Sequence, residues 1–356
     1  MYRSSSDSQR KFFRNAMITL LLVPIFMWAV VGVSIFRVAT KVLKYPARCD
    51  DLETRALMKP EWVPFTRKYD TRFKRRSQFV VFLISMTTAP ARILLSIVFV
   101  FLSGLASITL PTRGVAAVAR WVSRSILRAM GIRVLRTGTR ASVRDAPCVV
   151  ANHISATDIL ALLSLGCCFV ANNKVLDLPG IGRVAKAIGC IFVARDSQDS
   201  RTSAREAINQ HLLEPTARSD SPSQLVIFAE GTTTNGRGLL QFRRGAFESG
   251  VTIQPVRIDY SDLQCSMALL SVWDLVCLLS VLSNDKQIHV QFLDPVRPAG
   301  TPDDMASLVR AKIANTKSVF SPDPLELFAS GSHRDEAEMM KVVSRMPNLR
   351  HVRESM

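Results

Sequence analysis

The residues of this chain best suited to chemistry are a histidine and an acid five positions apart in the segment 152–158, which reads Asn-His-Ile-Ser-Ala-Thr-Asp. An imidazole titrates near neutral pH, and a carboxylate behind it can fix its tautomer, so His153 and Asp158 could form a proton-transfer pair. The spacing also fits a structural alternative. Ser155 and Asp158 match a variant of the capping box, in which both side chains hold the start of a helix. At this point both interpretations stand.

The elements around this segment decide whether the two side chains can meet. The apolar run 147–151 predicts a buried strand, and the run 159–163 predicts the start of a helix. On a continuous helix, a spacing of five residues would turn the two side chains about 140° apart. His153 and Asp158 can therefore meet only if His153 lies in the turn between strand and helix.

The chain is strongly basic, with 46 Lys and Arg against 29 Asp and Glu and a formal net charge of +17. Such an excess indicates an anionic partner, and nucleic acid, anionic lipid and a phosphorylated substrate all qualify. The mean hydropathy of +0.17 is high for so basic a protein. The apolar residues also fall in long runs, which favours a membrane surface over nucleic acid.

The seven cysteines do not indicate a disulfide framework, because their number is odd and no Cys-x-x-Cys pair occurs. Cys148 and Cys190 lie inside apolar runs that are typical of strands. The adjacent pair Cys167 and Cys168 has no histidine or acid at ligand spacing, so no zinc or other metal site is expected. The cysteines are interpreted as reduced core residues.

The first 78 residues predict a membrane attachment. Residues 1–41 form a polar tail and an anchor, since the apolar segment 16–38 suits a span of about 20 residues. A signal peptide is the rival, disfavoured because the apolar part is too long and no small-residue cleavage site is evident. Residues 42–78 form a basic juxtamembrane linker on an anionic leaflet, and their excess of Lys and Arg indicates the cytoplasmic side.

Residues 79–110 form a second apolar segment, interrupted by Pro90 and Arg92. This segment is too long for one straight span and too short for two, which predicts a re-entrant helix–turn–helix.

From residue 111 to 298 the pattern is that of an α/β domain with a mixed sheet flanked by helices. Strands are expected at 147–151, 189–193, 225–229, 252–258 and 288–292. The apolar run 267–282 is expected to be a buried or interfacial helix, because it is short for a span. His289, which alternates with apolar neighbours, is expected to be an ordinary strand residue. Residues 299–356 form a helical tail, in which Pro302 can begin a helix.

Four short blocks follow one another in the order of a known family. They are Asn-His-x4-Asp at 152–158, Gly-x-Ile-Phe-Val-x-Arg at 189–195, Phe-Ala-Glu-Gly-Thr at 228–232, and an apolar strand with a proline at 253–256. In these blocks residues 111–298 resemble the glycerolipid acyltransferases of the lysophosphatidic-acid and lysophosphatidylcholine type. The ordered set is specific, whereas one block alone would not be.

The residues after Glu230 resemble the lysophosphatidylcholine branch and its glycerol-phosphate relatives, which carry Glu-Gly-Thr-x-x-Asn and then Phe-Lys-x-Gly-x-Phe. Two positions depart from the family. Thr233 stands where many members have arginine, and Ala229 replaces the usual proline. The charge missing at Thr233 is expected to come from Arg243.

The resemblance implies an acyl-CoA-dependent enzyme that moves a fatty acyl group to a free hydroxyl of a lysophospholipid, with a lysophosphatidylcholine-like acceptor. Glycerol 3-phosphate or lysophosphatidic acid is the alternative acceptor. A CoA-independent transacylase and a catalytically dead membrane scaffold are further alternatives. No cofactor is implied, since acyl-CoA is a co-substrate.

The resemblance also implies roles for single residues. His153 takes the proton of the acceptor hydroxyl and Asp158 orients it. Arg195 would grip the acceptor phosphate, although it could simply pair with Asp196. Glu230 would position Arg195 or a hydroxyl. The turn of Gly231 and Thr232 would hold phosphate or glycerol. Lys174 and Arg243 would bind the coenzyme A phosphates.

The expected partners are acyl-CoA, a lysophospholipid and membrane lipids, and no nucleic acid. The family resemblance implies the endoplasmic reticulum membrane, with the active site facing the cytoplasm.

Overall fold

The structure is a computed structural model, and it describes most of the chain from residue 22 to 319. The described ranges are 22–40, 78–177, 180–193, 198–213, 223–261, 265–266, 272–282, 286–314 and 318–319. The predicted polar tail and all but the last residue of the predicted basic linker, 42–78, lie outside them.

The helices of the described residues surround the sheet and also form an apolar N-terminal group. They are α1 (Leu22–Thr40), α2 (Gln78–Met86), α3 (Thr88–Thr109), α4 (Thr112–Ala129), α5 (Thr157–Ser164), α6 (Ile181–Ala187), α7 (Gln198–Leu213), α8 (Val272–Val281) and α9 (Pro302–Ala314). Short 3₁₀ turns occupy Asn173–Asp177 and Arg244–Ala246.

Seven strands form one sheet in the order β1-β8-β7-β2-β5-β3-β4, and two more form a small pair, β6 with β9. The strands are β1 (Ile132–Thr137), β2 (Cys148–Ala151), β3 (Cys168–Asn172), β4 (Ile191–Val193), β5 (Leu225–Phe228), β6 (Gly238–Leu239), β7 (Ile253–Tyr260), β8 (Lys286–Phe292) and β9 (Ser318–Val319). Within the large sheet β7 and β8 run antiparallel and the other neighbours run parallel. The predicted mixed sheet flanked by helices is confirmed.

The five predicted strands are found as β2, β4, β5, β7 and β8, within three residues at each end. Two strands of the sheet were missed. β1 escaped because it is an edge strand whose Arg133 and Arg136 are exposed, so it lacks an apolar run. β3 follows α5 after a short turn, and its apolar residues continue the pattern of that helix.

Strand β2 lies at the centre of the sheet and is buried on both faces. Val149 and Ala151 belong to one apolar core, and Cys148 and Val150 belong to the other. This division follows the period of two in a strand, where successive side chains point to opposite faces. A strand covered on both sides holds its carboxyl end in a fixed place, and the segment 152–158 begins there.

The first core lies under α5 and α8, and the second lies under α9. Met305, Val309 and Ile313 of α9 are buried in the second core. The helix predicted to begin at Pro302 is found as α9, and its buried face packs on the sheet. The bounds of the predicted helical tail, 299–356, stay a prediction.

Two apolar stretches, α1 and the 31 residues from Phe79 to Thr109, are long and apolar enough to cross a membrane. In both, only 17% of the most apolar window is buried inside the protein. Such exposed apolar surface is typical of a membrane protein.

The second stretch breaks at Thr87. The break was expected at Pro90 or Arg92, but Pro90 lies in the first turn of α3, where a helix tolerates proline. The re-entrant arrangement of 79–110 stays a prediction.

Arg92 ties helix α3 to the end of α8. The guanidinium of Arg92 donates to the carbonyl oxygens of Ser280, at 3.0 Å, and Leu282, at 3.4 Å. Both lie at the carboxyl end of α8, where a cation is favourable because helix carbonyls there carry partial negative charge. The predicted helix in 267–282 is confirmed as α8, and Leu275, Leu278 and Leu279 are buried while Val272 and Trp273 are exposed.

Five of the six described cysteines are buried, and none of the six forms a disulfide. Burial raises the pKa of the Cys148 and Cys277 thiols to about 12 and that of Cys167 and Cys190 to about 11. These thiols stay protonated near neutral pH, as expected of core residues.

Candidate active site

The site begins where β2 and β5 end side by side. The two strands are parallel neighbours, and Ala151 pairs with Phe228 at their last positions. The chain continues from β2 into Asn152 and His153, and from β5 into Ala229 and Glu230. The carboxyl ends of parallel strands share one edge of a sheet, which is where α/β folds place their ligands. The first and third sequence blocks are thus brought together by strand pairing.

Asn152 fixes the turn after β2 to the neighbouring strand β7. Its side-chain amide donates to the carbonyl of Ile258 at 3.0 Å and accepts from the amide of the same residue at 2.8 Å. The side chain is almost fully buried. This two-way bond continues the sheet beyond the end of β2, so His153 leaves the sheet at a fixed point.

His153 and Asp158 meet, as the spacing predicted for a histidine in the turn. The His153 Nδ1 lies 2.9 Å from Asp158 Oδ2, and the Asp158 side chain is completely buried. The same oxygen accepts from the backbone amides of Ile154, at 2.7 Å, and Ser155, at 2.9 Å. One carboxylate oxygen therefore holds the start of α5 and contacts the imidazole, so the capping and catalytic interpretations describe one arrangement.

This geometry selects a tautomer of His153. Because an ionised carboxylate only accepts, Nδ1 carries the proton and Nε2 of the neutral ring is left as an acceptor. The His153 side chain is 15% exposed, whereas Asp158 is 0% exposed. The exposed part of the pair is therefore the imidazole, as a base that meets a substrate requires.

The imidazole lies against Phe228, the last residue of β5. The two rings are stacked with their centroids 3.9 Å apart and their planes 13° from parallel. Phe169 of β3 continues the stack on Phe228, with centroids 6.2 Å apart. Bonded at Nδ1 and stacked on one face, the ring has little rotational freedom.

Glu230 joins the two strand ends to a third segment. Its side chain is completely buried. Oε1 accepts from the backbone amide of His153 at 2.9 Å, and Oε2 accepts from the amide of Leu240 at 3.0 Å. The expected role of Glu230 was to position Arg195 or a hydroxyl, and its described bonds show that it holds the backbone of the histidine turn.

The turn after Glu230 is open to solvent and lies beside an arginine. Gly231 is exposed, with a φ of +74° that glycine adopts without strain. A methyl group on Gly231 would lie 3.1 Å from Arg243 Nε. The amide of Arg243 donates to the carbonyl of Ala229 at 2.9 Å, and Thr232 is half-buried next to the glycine. The predicted residues Gly231, Thr232 and Arg243 are therefore brought together.

Two predicted binding residues are not placed by the structure. The backbone of Lys174 belongs to the 3₁₀ turn Asn173–Asp177, but its side chain is outside the described atoms. Arg195 lies outside the described residues. Their roles stay predictions.

Two residues that contact the pair were missed from the sequence, namely Phe228 as a ring partner and Tyr260. The Tyr260 hydroxyl donates to Asp158 Oδ1 and lies 2.7 Å from the hydroxyl of Thr157. Tyr260 is the last residue of β7, 102 positions beyond Asp158. The signal for Tyr260 in the sequence was a tyrosine at the end of an apolar run that predicts a strand.

The segment that carries this site is similar to known proteins. Residues 133–259 match the family described as Acyltransferase. The lyso-ornithine lipid O-acyltransferase of Pseudomonas aeruginosa is 34% identical over 203 residues, which make up 54% of this chain and 73% of that protein.

Other relatives are longer than this chain. The lysophospholipid acyltransferase LPEAT2 of Arabidopsis thaliana is 34% identical over 167 residues, 46% of this chain and 29% of that protein. Human lysophosphatidylcholine acyltransferase 2 is 27% identical over 263 residues, 68% of this chain and 46% of that protein. The chain thus spans less than a third of the plant relative and less than half of the human one.

Among solved structures, the 1-acyl-sn-glycerophosphate acyltransferase PlsC of Thermotoga maritima has a TM-score of 0.46 and 16% identity, covering 64% of this chain and 95% of that one. The family assignment rests on the sequence relatives. The Acyltransferase match includes His153, Asp158 and Glu230, and the bacterial relative is matched over nearly three quarters of its length. The chain belongs to the acyltransferase family.

Proposed function

We propose that this protein is an enzyme that transfers a fatty acyl group from acyl-CoA to a free hydroxyl of a lysophospholipid. The observation that carries the proposal is the 2.9 Å contact between His153 Nδ1 and a fully buried Asp158, in a partly exposed histidine. The names of the lysophospholipid and lysophosphatidylcholine acyltransferase relatives support the reaction and the substrate class.

In this reaction His153 Nε2 accepts the proton of the acceptor hydroxyl while the hydroxyl oxygen attacks the thioester carbonyl. Asp158 stabilises the imidazolium that forms. When the tetrahedral intermediate collapses, the C–S bond breaks, and the imidazolium returns its proton to the departing thiolate. The products are the acylated lipid and coenzyme A. No enzyme nucleophile is needed, and Ser155 is completely buried.

The turn beside His153 offers groups for an acidic substrate. Gly231 and Thr232 present a glycine turn whose amides and hydroxyl suit phosphate or glycerol oxygens. Arg243, exposed and in contact with this turn, supplies a positive charge. Glu230 acts one step away, by fixing the backbone amide of His153. Arg195 and Lys174 complete the proposed set, with Arg195 assigned to the acceptor phosphate and Lys174 to the coenzyme A phosphates.

One observation favours a second acceptor. The bacterial relative matched over 73% of its length is a lyso-ornithine lipid O-acyltransferase. A lyso-ornithine lipid therefore belongs beside the lysophospholipids as a candidate acceptor, as do glycerol 3-phosphate and lysophosphatidic acid.

The exposed apolar surfaces of α1 to α3 support a reaction at a membrane, where acyl chains partition. Each CH₂ group that leaves water contributes about 0.8 kcal/mol, so acyl chains concentrate in the bilayer. A site at the bilayer surface therefore has direct access to lipid substrates. Location in the endoplasmic reticulum with the site facing the cytoplasm is part of the proposal.

The deciding experiment offers the purified protein labelled acyl-CoA with each acceptor in turn and measures acylated lipid and released coenzyme A. His153→Ala should reduce turnover by at least about 10³-fold, because the base is gone. His289→Ala, which removes a half-buried histidine of β8, is the matched control and should keep full turnover.

Three outcomes would contradict the proposal. Full turnover by His153→Ala would show that His153 is not the base. Transfer between lipids without acyl-CoA would indicate a transacylase. Absence of turnover by the wild-type protein with every acceptor would indicate a membrane scaffold.

A further inference from the structure

Tyr260 lies under the catalytic pair and is buried, with 8% of its surface exposed. It ends β7, which pairs with β2 on the side away from β5. Its ring belongs to the core formed by Ala151, Ile154 and Leu162. Tyr260 therefore approaches Asp158 from the apolar core.

The Asp158 carboxylate needs all the donors that surround it. A fully buried ionised carboxylate is strongly unfavourable unless hydrogen bonds compensate the lost hydration. Oδ2 receives three N–H groups, from His153, Ile154 and Ser155. Oδ1 receives the hydroxyl of Tyr260. Tyr260 therefore donates to Oδ1, whereas the histidine contacts Oδ2.

The position of this donor matters because the terminal torsion of aspartate has a broad, twofold preference. Donors on Oδ2 alone would leave the carboxylate plane poorly defined. A donor on Oδ1 fixes the second point of the plane. Thr157 in turn holds the phenol, since its hydroxyl lies 2.7 Å from that of Tyr260.

The phenol remains a donor at every pH at which the pair works. Burial, followed by the negative charge of Asp158, raises the pKa of Tyr260 well above its usual 10. A raised pKa means that the neutral O–H form persists to higher pH than for an exposed tyrosine.

We propose that Tyr260 is a positioning residue for this reaction, whose hydroxyl holds Asp158 Oδ1 so that Oδ2 stays aimed at His153 Nδ1. The inference rests on the proposed function, because it assigns the role through the same pair. It adds to the reaction a residue from β7 that touches no substrate.

The test compares Tyr260→Phe with wild-type protein in the same acyltransfer assay. Losing one hydrogen bond to a charged group should lower kcat about tenfold to a hundredfold, while KM for both substrates stays within about twofold. A purely structural residue would instead lower the amount of folded enzyme, leaving kcat per folded molecule unchanged. Ser164→Ala is the matched control, because it removes a buried hydroxyl of α5, the helix that carries Asp158, and this hydroxyl donates to the carbonyl of Ala161.

A second variant covers the case in which Tyr260→Phe does not fold. In Thr157→Val with Tyr260→Phe, both hydroxyls are replaced by apolar groups of similar shape, so the Thr157 hydroxyl is not left without its tyrosine partner in the core. This folded double variant should show the same low kcat.

The outcomes separate the two proposals. The role of Tyr260 would be overturned if the wild-type protein turns over and the kcat of Tyr260→Phe, or of the double variant, lies within twofold of the wild-type value. A loss of equal size in Ser164→Ala would also overturn it, since any buried hydroxyl would then matter. Absence of wild-type turnover with every acceptor would instead refute the proposed function.

Discussion

The imidazole of His153 lies flat on the phenyl ring of Phe228, with the two centroids 3.9 Å apart. One residue follows β2 and the other ends β5, so the contact exists only because these strands are neighbours in this register. The stack fixes the plane of the base, while the bond to Asp158 fixes its rotation within that plane.

Replacing this ring should slow catalysis without abolishing it. We expect Phe228→Leu to lower kcat about twofold to tenfold, since aromatic pairs contribute ~0.5–1.5 kcal/mol beyond burial. Steady-state kinetics would measure the change. Phe169→Leu alters the ring that stacks on Phe228 and keeps Phe228 itself, and an equal loss in that variant would contradict a specific role for Phe228.

Asp158→Asn should leave the fold intact and remove most of the activity. An amide oxygen can still accept from Ile154 and Ser155, so α5 keeps its start. The amide cannot stabilise an imidazolium or select the Nδ1–H tautomer, and the equivalent change in a serine protease costs about 10⁴ in kcat. Turnover would be compared with thermal unfolding of the same sample. Activity near the wild-type level would reduce Asp158 to a helix cap.

Glu230→Gln should destabilise the protein more than it alters substrate affinity. Both oxygens accept from backbone amides, and an NH₂ group at either position would face a donor. Leaving one buried donor unpaired costs ~1–3 kcal/mol, and chemical denaturation would show this decrease in the free energy of unfolding.

Glu248→Gln is the control for that loss. Its partners Arg205 and Arg244 lie 3.7 and 3.5 Å away and are half or more exposed. Such surface pairs contribute little, so a change under ~1 kcal/mol is expected. Equal decreases in the free energy of unfolding would show that the bonds of Glu230 stabilise the protein no more than a surface ion pair does.

Gly231→Ala should lower the thermal stability of the protein, whereas Gly245→Ala should leave it nearly unchanged. The first adds a methyl group at a φ of +74° and 3.1 Å from Arg243 Nε. The left-handed backbone alone costs ~1–2 kcal/mol. Gly245 has open space around its Cβ position. Thermal unfolding of both variants, with KM for acyl-CoA and acceptor, would show whether displacing Arg243 also weakens binding.

The sequence predicted the part of the site that lies within one segment. A spacing of five residues between an apolar run and a helix required a turn, and the turn brings His153 to Asp158. Strands β2 and β7 were also predicted from the sequence, because burial on both faces gives a strand a continuous apolar run.

What the sequence did not predict depends on which strands become neighbours. Phe228 and Tyr260 reach the pair from β5 and β7, about 75 and 100 residues beyond it, through a register that no local pattern encodes. The bonds of Glu230 to two backbone amides were missed for the same reason. These two bonds join Glu230 to the backbone of His153 and Leu240, whereas its expected role toward Arg195 or a hydroxyl stays a prediction.

Arg92 gives the apolar helices a fixed register on the rest of the molecule. Its guanidinium is held by two carbonyls at the end of α8, so α3 cannot slide along its own axis by one turn, about 5.4 Å, without losing both bonds. Arg92 thus helps to hold α3 in one position against the domain that carries His153. For the proposed membrane-bound reaction we expect turnover to depend on bilayer thickness, because a thicker or thinner leaflet would raise or lower the imidazole relative to the hydroxyls it must reach.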